Sequence, residues 1–551
     1  MAPSNPVQER RSESAPLEAD EAKRRARFLK AAFCVWVILL AIYQFSENTA
    51  DPDLWGHVTF GQEILHSHAI PKTEIYSWTS AGQPWINHEL LAEIFLGGAH
   101  AMLGGSGLLL LKMAVGLLTF ALCLRMALAD MKEGEQWIAW GFAALAVVEI
   151  SFGFSARPQI FTALCLTLEL MLLRRIHAGA PLWALALPPL FIFWINTHGG
   201  ALAGVGLLAV TAAATTGQFL FSKKFKRDAN EQTPTLKIVF ALWLALVGVI
   251  GALFCNPWGG GLVRFLIESV SWLRPEIQEW NPTPVNWDHA AMFMLMALGV
   301  FAWAFTRRRR AWWEAAVCAA FAVLALRSVR NVPLFALVAL ALVPRQLADA
   351  LARFRRFFAR IEMLWQRADI QNFAAIMLVL TGVGIGAATF TLHKEHPFTM
   401  EAPRAEYPVS AISFIQEHGL RGKLFVFFDW GEMTIFHLPD CPPSIDPRLD
   451  TCYSRALIAA HWKFYNGEPC DEKVLDPFAA DLALLPVKLA GALTLAHHPG
   501  WKAVYYDETA VLLVRDVTRF PGLQGLALPV EGAKTASLGR AAFADRSPRW
   551  K

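Results

Sequence analysis

The stretch "FLKAAFCVWVILLAIYQFSENTADPDLWGH", residues 28–57, joins a long apolar run directly to a cluster of ionisable side chains. As a helix, the apolar part is long enough to cross a hydrocarbon core of about 30 Å. Asp51, Asp53 and His57 follow the run, so two carboxylates and an imidazole lie where the first predicted membrane helix ends. Residue types alone favour a simpler interpretation, because "Asp-Pro-Asp" is a good turn and helix N-cap sequence.

The composition predicts a multi-pass helical membrane protein. The 551 residues are 55% hydrophobic and only 17% charged, with a mean hydropathy of +0.36. Apolar runs of about 16–23 residues, the length of a membrane-spanning helix, recur along most of the chain. We predict about eleven transmembrane helices, at roughly 28–46, 106–128, 136–153, 159–173, 182–196, 199–221, 236–254, 290–306, 311–326, 331–347 and 372–392.

The basic runs set the predicted orientation. Runs such as "KRRARFLK" (23–30) and "RRRR" (307–310) lie between apolar segments, as the positive-inside rule expects of cytoplasmic loops. Nucleic-acid binding would require these charges on one soluble face, so it is not expected. All internal basic runs fall in the cytoplasm if the N-terminus is cytoplasmic and 88–103 is an interfacial or re-entrant helix. That segment carries Glu89, Glu93 and His100, which are costly in a lipid-exposed span.

Four regions follow from this arrangement. We expect a disordered cytoplasmic tail at 1–27, a membrane domain at 28–392 with a long outer loop at 47–105, an extracytoplasmic α/β domain at 393–520, and a poorly ordered tail at 521–551. The α/β prediction rests on alternating helix and strand patterns, including a hairpin in "KAVYYDETAVLLVRD" and a strand in "KLFVFF". Cys441, Cys452 and Cys470 allow one disulfide there, with no pairing predicted.

Most of the reactive side chains fall on the predicted outer face. This asymmetry argues against a channel or carrier, whose polar groups would lie near the middle of the bilayer. Asp51 and Asp53 can serve as a general base or hold a divalent cation such as Mg²⁺ or Mn²⁺. In the last predicted domain, "FFDWGEM" and "IDPRLDTCY" place Asp429, Asp446, Arg448 and Asp450 at strand ends, where ligand groups often lie.

Further candidates for substrate binding lie in the outer loops. His88 and Glu89 begin the predicted interfacial helix, where Glu89 is either a second acidic group or a favourable helix-dipole residue. Three cations can hold a phosphate, namely Lys112, Arg157 and Arg330. Asn196 and His198 in "NTHGG" offer hydrogen bonds from a tight turn and are equally typical of a structural turn.

At this point the chain resembles the GT-C superfamily of polyprenyl-phosphate-dependent glycosyltransferases. It is similar to the bacterial branch related to lipopolysaccharide core transferases, protein O-mannosyltransferases and aminoarabinose transferases. The pattern consists of "DPDLWGH" (51–57), "TEIYSWTSAGQPWINHELLAE" (73–93), "NTHGG" (196–200), "NPWG" (256–259), "DWGEM" (429–433) and "IDPRLD" (445–450), which together span nearly the whole chain.

The resemblance implies a bacterial inner-membrane enzyme that transfers a sugar, with inversion, from a polyprenyl-phosphate donor to a lipid, glycan or protein acceptor. It places Asp53, with Asp51 beside it, at the position of the catalytic base or metal ligand. His57 becomes a contact to the acceptor, and Lys112, Arg157 and Arg330 become the groups that hold the leaving phosphate.

Two departures from the family pattern leave alternatives open. The mannosyltransferases carry adjacent Asp-Glu rather than Asp-Pro-Asp, and "SARPQ" has Arg157 where oligosaccharyltransferases carry an acidic group. Either Asp51 or Asp53 is therefore the candidate base. A non-catalytic scaffold or lipid-glycan binding protein of a surface-polymer assembly is the alternative to an enzyme.

Overall fold

The computed structural model describes residues 6–129, 131–224, 233–271, 277–307, 311–365, 367–392, 394–523 and 540–542. The α-helices are α1 (Pro6–Phe45), α2 (Leu54–Ser67), α3 (Leu90–Leu128), α4 (Gln136–Ser151), α5 (Gln159–His177), α6 (Leu187–Thr197), α7 (Ala201–Lys224), α8 (Leu236–Ala252), α9 (Gly260–Ser271), α10 (Ala290–Phe305), α11 (Trp312–Arg327), α12 (Val332–Leu342), α13 (Pro344–Arg353), α14 (Arg355–Trp365), α15 (Ala368–Thr391), α16 (Val409–Glu417), α17 (Gly431–His437), α18 (Arg455–Tyr465) and α19 (Ala490–Ala496). The strands are β1 (Glu401–Pro403), β2 (Leu424–Val426), β3 (Leu482–Pro486), β4 (Lys502–Tyr506), β5 (Ala510–Val514) and β6 (Arg540–Ala542).

Helices α1 to α15 lie in the region predicted as the membrane domain, and each predicted span coincides with helical structure. Among the described residues, five helices are long and apolar enough to cross a membrane, or six if the bent pair of α12 and α13 forms one span. Three further apolar helices have only 10–17 residues each. The protein is therefore a multi-pass membrane protein, but the count of eleven spans is not confirmed.

Helix α3 contains the segment that we predicted to be interfacial. It is helical from Leu90 and breaks at Leu103 and Gly104. The angles of Gly104, φ 59° and ψ −146°, are accessible to glycine at little cost. Before the break, α3 packs closely on α2, because a Cβ added at Gly61 would lie only 1.8 Å from the Glu93 carbonyl oxygen. This close packing fixes α2, which follows Asp53, against the first half of α3.

The two chain ends differ in what the structure describes. Helix α1 begins at Pro6 and continues into the first apolar run, so the described part of the segment predicted to be a disordered tail, residues 6–27, is helical. Its sequence is rich in Glu, Arg, Ala and Lys, which favour helix. Most of the predicted tail at 521–551 lies outside the described residues.

The C-terminal region is the predicted α/β domain. Its larger sheet has the strand order β2-β3-β5-β4, with β2 parallel to β3 and the other pairs antiparallel, while β1 pairs with β6. The hairpin of β4 and β5 and the strand β2 were predicted, whereas β3 and α18 were not. All eight cysteines are unpaired, so no disulfide joins Cys441, Cys452 and Cys470 in the structure.

The α/β domain is bonded to the backbone that leads from α1 to Asp51. The Ala50 N–H donates to the Glu401 carbonyl oxygen at 2.7 Å, and the Glu401 N–H donates to the Asn48 carbonyl oxygen at 2.7 Å. Residues from both regions also share one hydrophobic cluster, which includes Leu54, Trp55 and Met433. The first outer loop and the α/β domain therefore pack as one unit.

Candidate functional site

Asp51, Asp53 and Arg157 form an ion cluster at the end of α1. The Arg157 side chain contacts Asp51 twice, at 3.3 Å each, and its Nη2 forms a second ion pair with Asp53. The Ser155 hydroxyl also donates to Asp51 at 3.3 Å. A guanidinium that meets two carboxylates forms charge-assisted hydrogen bonds with both. The loop "SARPQ" thus holds both acidic groups.

The N-cap interpretation of "Asp-Pro-Asp" does not account for these contacts. Asp53 occupies the N-cap position of α2, yet its side chain makes no capping hydrogen bond. Instead, the Asp53 N–H donates to the Asp51 carboxylate at 3.2 Å, which closes a local turn. The Asp53 carboxylate is therefore directed to Arg157 rather than to its own helix.

Burial and neighbouring charges place the pKa of Asp53 near neutrality. Burial disfavours the charged carboxylate and raises this pKa to about 7, against the attraction of Arg157 and with a further rise from Asp51. The two carboxylates also raise the pKa of Arg157 despite its burial, so the guanidinium stays charged. A carboxylate with a pKa near the working pH suits general-base catalysis.

His57 lies one helical turn beyond Asp53, on α2. Its Nδ1 is 3.7 Å from the Glu93 carboxylate, which also accepts a hydrogen bond from the Asn87 amide. Burial lowers the pKa of His57, but Glu93, Glu89 and Asp53 raise it by more, so the net shift is upward. The imidazole is therefore favoured in its charged form more than an isolated histidine is.

Glu89 lies between two histidines. Its carboxylate is 3.6 Å from His88 Nε2 and 3.8 Å from His198 Nε2. Burial opposes ionisation, but the nearby His88 and His57 outweigh it and lower the pKa of Glu89 to about 2. Glu89 is therefore a fixed negative charge, unlike Asp53.

His198 is held as a neutral ring. Its Nδ1 accepts a hydrogen bond from the Gly200 N–H at 3.0 Å and lies 2.8 Å from the Thr162 hydroxyl oxygen. In a neutral ring the proton is then on Nε2, which faces Glu89. Burial lowers the pKa of His198 to about 3, and Arg330 adds to this effect.

Arg330 lies beside His198 and supplies a second cation. Its Nη2 is 3.4 Å from His198 Nε2, its Nη1 is 3.3 Å from Glu279, and its guanidinium lies 5.1 Å from the ring centre of Trp280. Sequence reasoning named Arg330 without predicting these partners. The structure thus brings together Asp51, Asp53, His57, His88, Glu89, Arg157, His198 and Arg330 in one cluster of interacting side chains. We refer to this cluster as the cleft.

Two candidate residues lie in other surroundings. The Lys112 ammonium, almost fully buried, donates to the Glu47 carbonyl oxygen at the end of α1. The Asn196 amide donates to the carbonyl oxygens of Ile192 and Cys255, at 2.8 Å each. These contacts are those of residues that tie chain segments together, and for Asn196 they match the structural-turn interpretation.

Comparison with solved structures relates this architecture to known proteins. The crystal structure of ArnT from Cupriavidus metallidurans bound to undecaprenyl phosphate matches 92% of this chain and 99% of its own, with a TM-score of 0.51 at 14% identity. The oligosaccharyltransferase of Archaeoglobus fulgidus, tethered to an acceptor peptide, matches 89% of this chain and 74% of its own, with a TM-score of 0.52 at 11% identity. The archaeal oligosaccharyltransferase AglB from Archaeoglobus fulgidus, in complex with an inhibitory peptide and a dolichol-phosphate, matches 90% of this chain and 75% of its own, with a TM-score of 0.51 at 11% identity.

The chain has the GT-C fold. No protein-family model and no curated protein matches its sequence. At 11–14% identity the similarity concerns the fold, so the chemistry has to be argued from the side chains of this chain.

Side chains of the α/β domain contact the first outer loop beside Asp51 and Asp53, and the sequence patterns assigned most of them no role. The Glu432 carboxylate accepts a hydrogen bond from the Gly56 N–H at 3.1 Å, and burial together with Asp53 raises its pKa well above the usual range. The Tyr407 hydroxyl donates to the Ala50 carbonyl oxygen at 3.0 Å. The packing of the two domains, which no local pattern encodes, brings these groups to the first outer loop.

The residues do not fit the divalent metal that we considered at Asp51 and Asp53. The guanidinium of Arg157 already contacts both carboxylates and compensates their charge. Among the described residues there is also no group of three or more His, Cys, Asp or Glu side chains arranged to hold a metal ion.

Proposed function

We propose that the protein is an inverting glycosyltransferase that uses a polyprenyl-phosphate sugar donor. The acceptor is a hydroxyl or amine of a lipid, glycan or protein at the extracytoplasmic face of the bacterial inner membrane. The GT-C fold supports this proposal, because the similar structures include one with bound undecaprenyl phosphate and one with dolichol-phosphate. In such a donor the sugar is linked through phosphate to a polyprenyl chain that lies in the membrane. The donor therefore reaches the cleft from the bilayer.

One observation carries the proposal, namely the pairing of Asp53 with Arg157. The carboxylate is mostly buried, has a pKa of about 7 and lies against a permanent cation. Inverting transfer from a lipid phosphate requires both a base for the acceptor and positive charge for the leaving phosphate. The two groups that the reaction needs are therefore adjacent.

The chemical step follows from these groups. Asp53 takes the proton of the acceptor hydroxyl or amine while the acceptor atom attacks the anomeric carbon from the face opposite the phosphate. The bond between the anomeric carbon and the phosphate oxygen breaks, and its electron pair leaves with the lipid phosphate. Arg157 and Arg330 stabilise that charge, and neutral His198 can donate its Nε2 proton in a hydrogen bond.

Asp51 has a supporting role in this scheme. It accepts hydrogen bonds from Ser155 and from the Asp53 N–H, so it positions both the loop of Arg157 and the base. Asp51 also raises the pKa of Asp53 by repulsion. We therefore assign the base to Asp53 and a positioning role to Asp51.

The experiment measures sugar transfer by purified protein from a panel of undecaprenyl-phosphate-linked sugars to cell-envelope acceptors. We expect Asp53→Asn to lower transfer by about 10²–10⁴-fold, the usual contribution of a general base. Asp51→Asn should lower it less, and Glu472→Gln, at an exposed site on the α/β domain, should have no effect.

Two outcomes contradict this proposal. Full transfer by both aspartate variants would remove the catalytic assignment. A wild-type protein that neither consumes nor binds any donor of the panel would favour the scaffold or lipid-glycan binding alternative.

A further inference from the structure

A cavity of about 440 Å³ opens in the α/β domain beside the ion cluster. Its wall includes three aromatic rings, three carboxylates and one ammonium group. One residue of the first outer loop, Pro52, completes the wall. The rings are those of Tyr407, Phe427 and Trp430, and the charged groups are those of Glu406, Asp429, Glu508 and Lys488.

The topology of the sheet explains why a cavity forms at this place. Strands β2 and β3 are parallel, so their carboxyl ends meet at one edge. Phe427 follows β2, Pro486 ends β3, and Glu508 lies in the turn between β4 and β5, and all three line the cavity. In open α/β sheets, ligands bind outside the carboxyl ends of parallel strands.

The cavity adjoins the proposed base. Pro52 lies in its wall and is flanked in sequence by Asp51 and Asp53. Asp429 lines the cavity, and its charge interacts with those of Asp51 and Arg157. Burial, with repulsion from Asp51, raises the pKa of Asp429 to about 6. Asp429 therefore belongs to the cavity wall and also interacts with the charges of the ion cluster.

The polar groups of the aromatic residues are already used inside the protein. The Trp430 indole N–H donates to the Glu406 carbonyl oxygen at 2.8 Å, and the Tyr407 hydroxyl donates to Ala50. Trp430 and Tyr407 are almost fully buried, so the half-buried Phe427 ring, whose centre lies 5.6 Å from that of Trp430, is the main aromatic surface of the cavity. Apolar ring surface packs well against the C–H faces of a sugar, while carboxylates accept hydrogen bonds from hydroxyl or ammonium groups.

The charge of the wall selects among sugars. Glu406, Asp429 and Glu508 face a single cation, Lys488. This excess of negative charge repels phosphorylated or carboxylated sugars and attracts amine-bearing ones. The cavity also differs in this respect from the cleft with Arg157 and Arg330, which suits a phosphate.

We propose that this cavity binds the acceptor as an uncharged or amine-bearing sugar, and that Asp429 orients the sugar toward Asp53. The role of the bound sugar as the acceptor rests on the proposed function. The binding of a sugar in the cavity does not depend on that function. The donor and the acceptor then occupy separate sites of opposite charge, the cleft in the membrane domain and the cavity in the α/β domain.

The first experiment measures sugar binding by the full-length protein in nanodiscs, with no donor present, by isothermal titration calorimetry. The probes are trisaccharides of glucose, glucosamine and galacturonic acid. We expect the first two to bind and the galacturonic acid trisaccharide to bind at least tenfold more weakly. Asp429→Asn should weaken binding of the glucosamine trisaccharide by about tenfold, because a hydrogen bond to a charged group is lost.

Two variants act as controls for the position of the site. Ala405→Trp adds bulk at an exposed position of the cavity wall and should abolish binding, whereas Glu472→Gln should leave it unchanged. Thermal unfolding of each variant establishes that it is folded. The inference is overturned if none of the three probes binds the wild type at millimolar concentration, or if Ala405→Trp binds them as the wild type does.

The second experiment separates this inference from the proposed function. Asp53→Asn should retain sugar binding while it loses transfer. If the wild type binds sugar but transfers none, and Ala405→Trp abolishes that binding, the sugar site is supported and the proposed transferase activity is contradicted. If Ala405→Trp instead transfers sugar at the wild-type rate, the proposed transferase activity is supported and the cavity is not the acceptor site.

Discussion

Replacing Arg448 should uncouple the α/β domain from the outer loop. This arginine is almost fully buried, and its guanidinium pairs with Glu74 of the outer loop at 3.0 and 3.1 Å. It also contacts Asp446 of its own domain at 2.7 and 2.8 Å. The rings of Phe60 and Trp85 lie 4.9 and 4.8 Å from the guanidinium carbon. One cation thus neutralises a carboxylate from each side of the domain boundary.

The expected cost follows from what the substitution leaves behind. Arg448→Met keeps the apolar packing but leaves Glu74 and Asp446 buried without a counter-charge. Breaking a buried pair in this way costs about 3–5 kcal/mol. Arg448→Lys should cost less, because it keeps the charge but loses the paired hydrogen bonds to each carboxylate.

The assay combines thermal unfolding of the detergent-solubilised protein with limited proteolysis of the segment at 394–400. We expect Arg448→Met to unfold at a lower temperature and to release the α/β domain faster than the wild type. The control is Arg367→Met, which removes an exposed pair with Asp369 and should leave the unfolding temperature nearly unchanged, because water screens exposed ion pairs. Equal behaviour of the two variants would refute this reasoning.

The same network predicts a dependence on pH. Although burial disfavours the charged form, the charge and hydrogen bonds of Arg448 lower the pKa of Glu74 below its ordinary value. A group whose pKa is lower in the folded state stabilises the fold above its unfolded pKa, about 4.3 for Glu. This contribution is lost as the pH falls through the lower pKa of the folded state. The unfolding temperature of the wild type should therefore fall below about pH 4, and Arg448→Met should not show that fall.

Three further predictions concern the cleft and the topology. The transfer rate should rise with pH through an apparent pKa of about 7, because Asp53 must be ionised to accept a proton; a rate that is flat from pH 5 to 9 would contradict this (about two units either side of that pKa). Gly56→Ala should destabilise the protein by about 1–3 kcal/mol, measured by thermal unfolding, because its Cβ would lie 2.1 Å from the Glu432 carboxylate; an unchanged melting temperature would show that Glu432 can move away. Reporter fusions after residues 310 and 400 should indicate opposite sides of the membrane, and matching sides would reject the proposed loop assignment.

Much of the fold was predictable from the sequence because its signals are local. Apolar runs predicted the helices, and the alternation in "KAVYYDETAVLLVRD" predicted the hairpin of β4 and β5. Strand β3 was missed because "LALLP" is short, and its apolar residues are as typical of a helix as of a buried strand. The number of spans stayed open because several apolar helices are shorter than a membrane-crossing helix requires.

The site was only partly predictable for a different reason. Asp51, Asp53 and Arg157 were named from their places in the outer loops, but nothing local indicated that one arginine would contact both carboxylates. Glu432 is separated from Gly56 by 376 positions, so only the packing of two domains reveals its contact. Lys112 was selected as a charge in a membrane helix, and the structure gives it the Glu47 carbonyl oxygen as its partner.

The backbone directly before Asp51 forms part of the interface between the two domains. Residues Asn48 to Ala50 exchange hydrogen bonds with Glu401, at the first strand of the α/β domain. Deleting everything after residue 393 would therefore strip these bonds from the segment directly before the acidic pair. Loss of activity in such a truncation would not show that the α/β domain binds a substrate. Point substitutions that leave Glu401 in place are the sounder way to assign separate roles to the two domains.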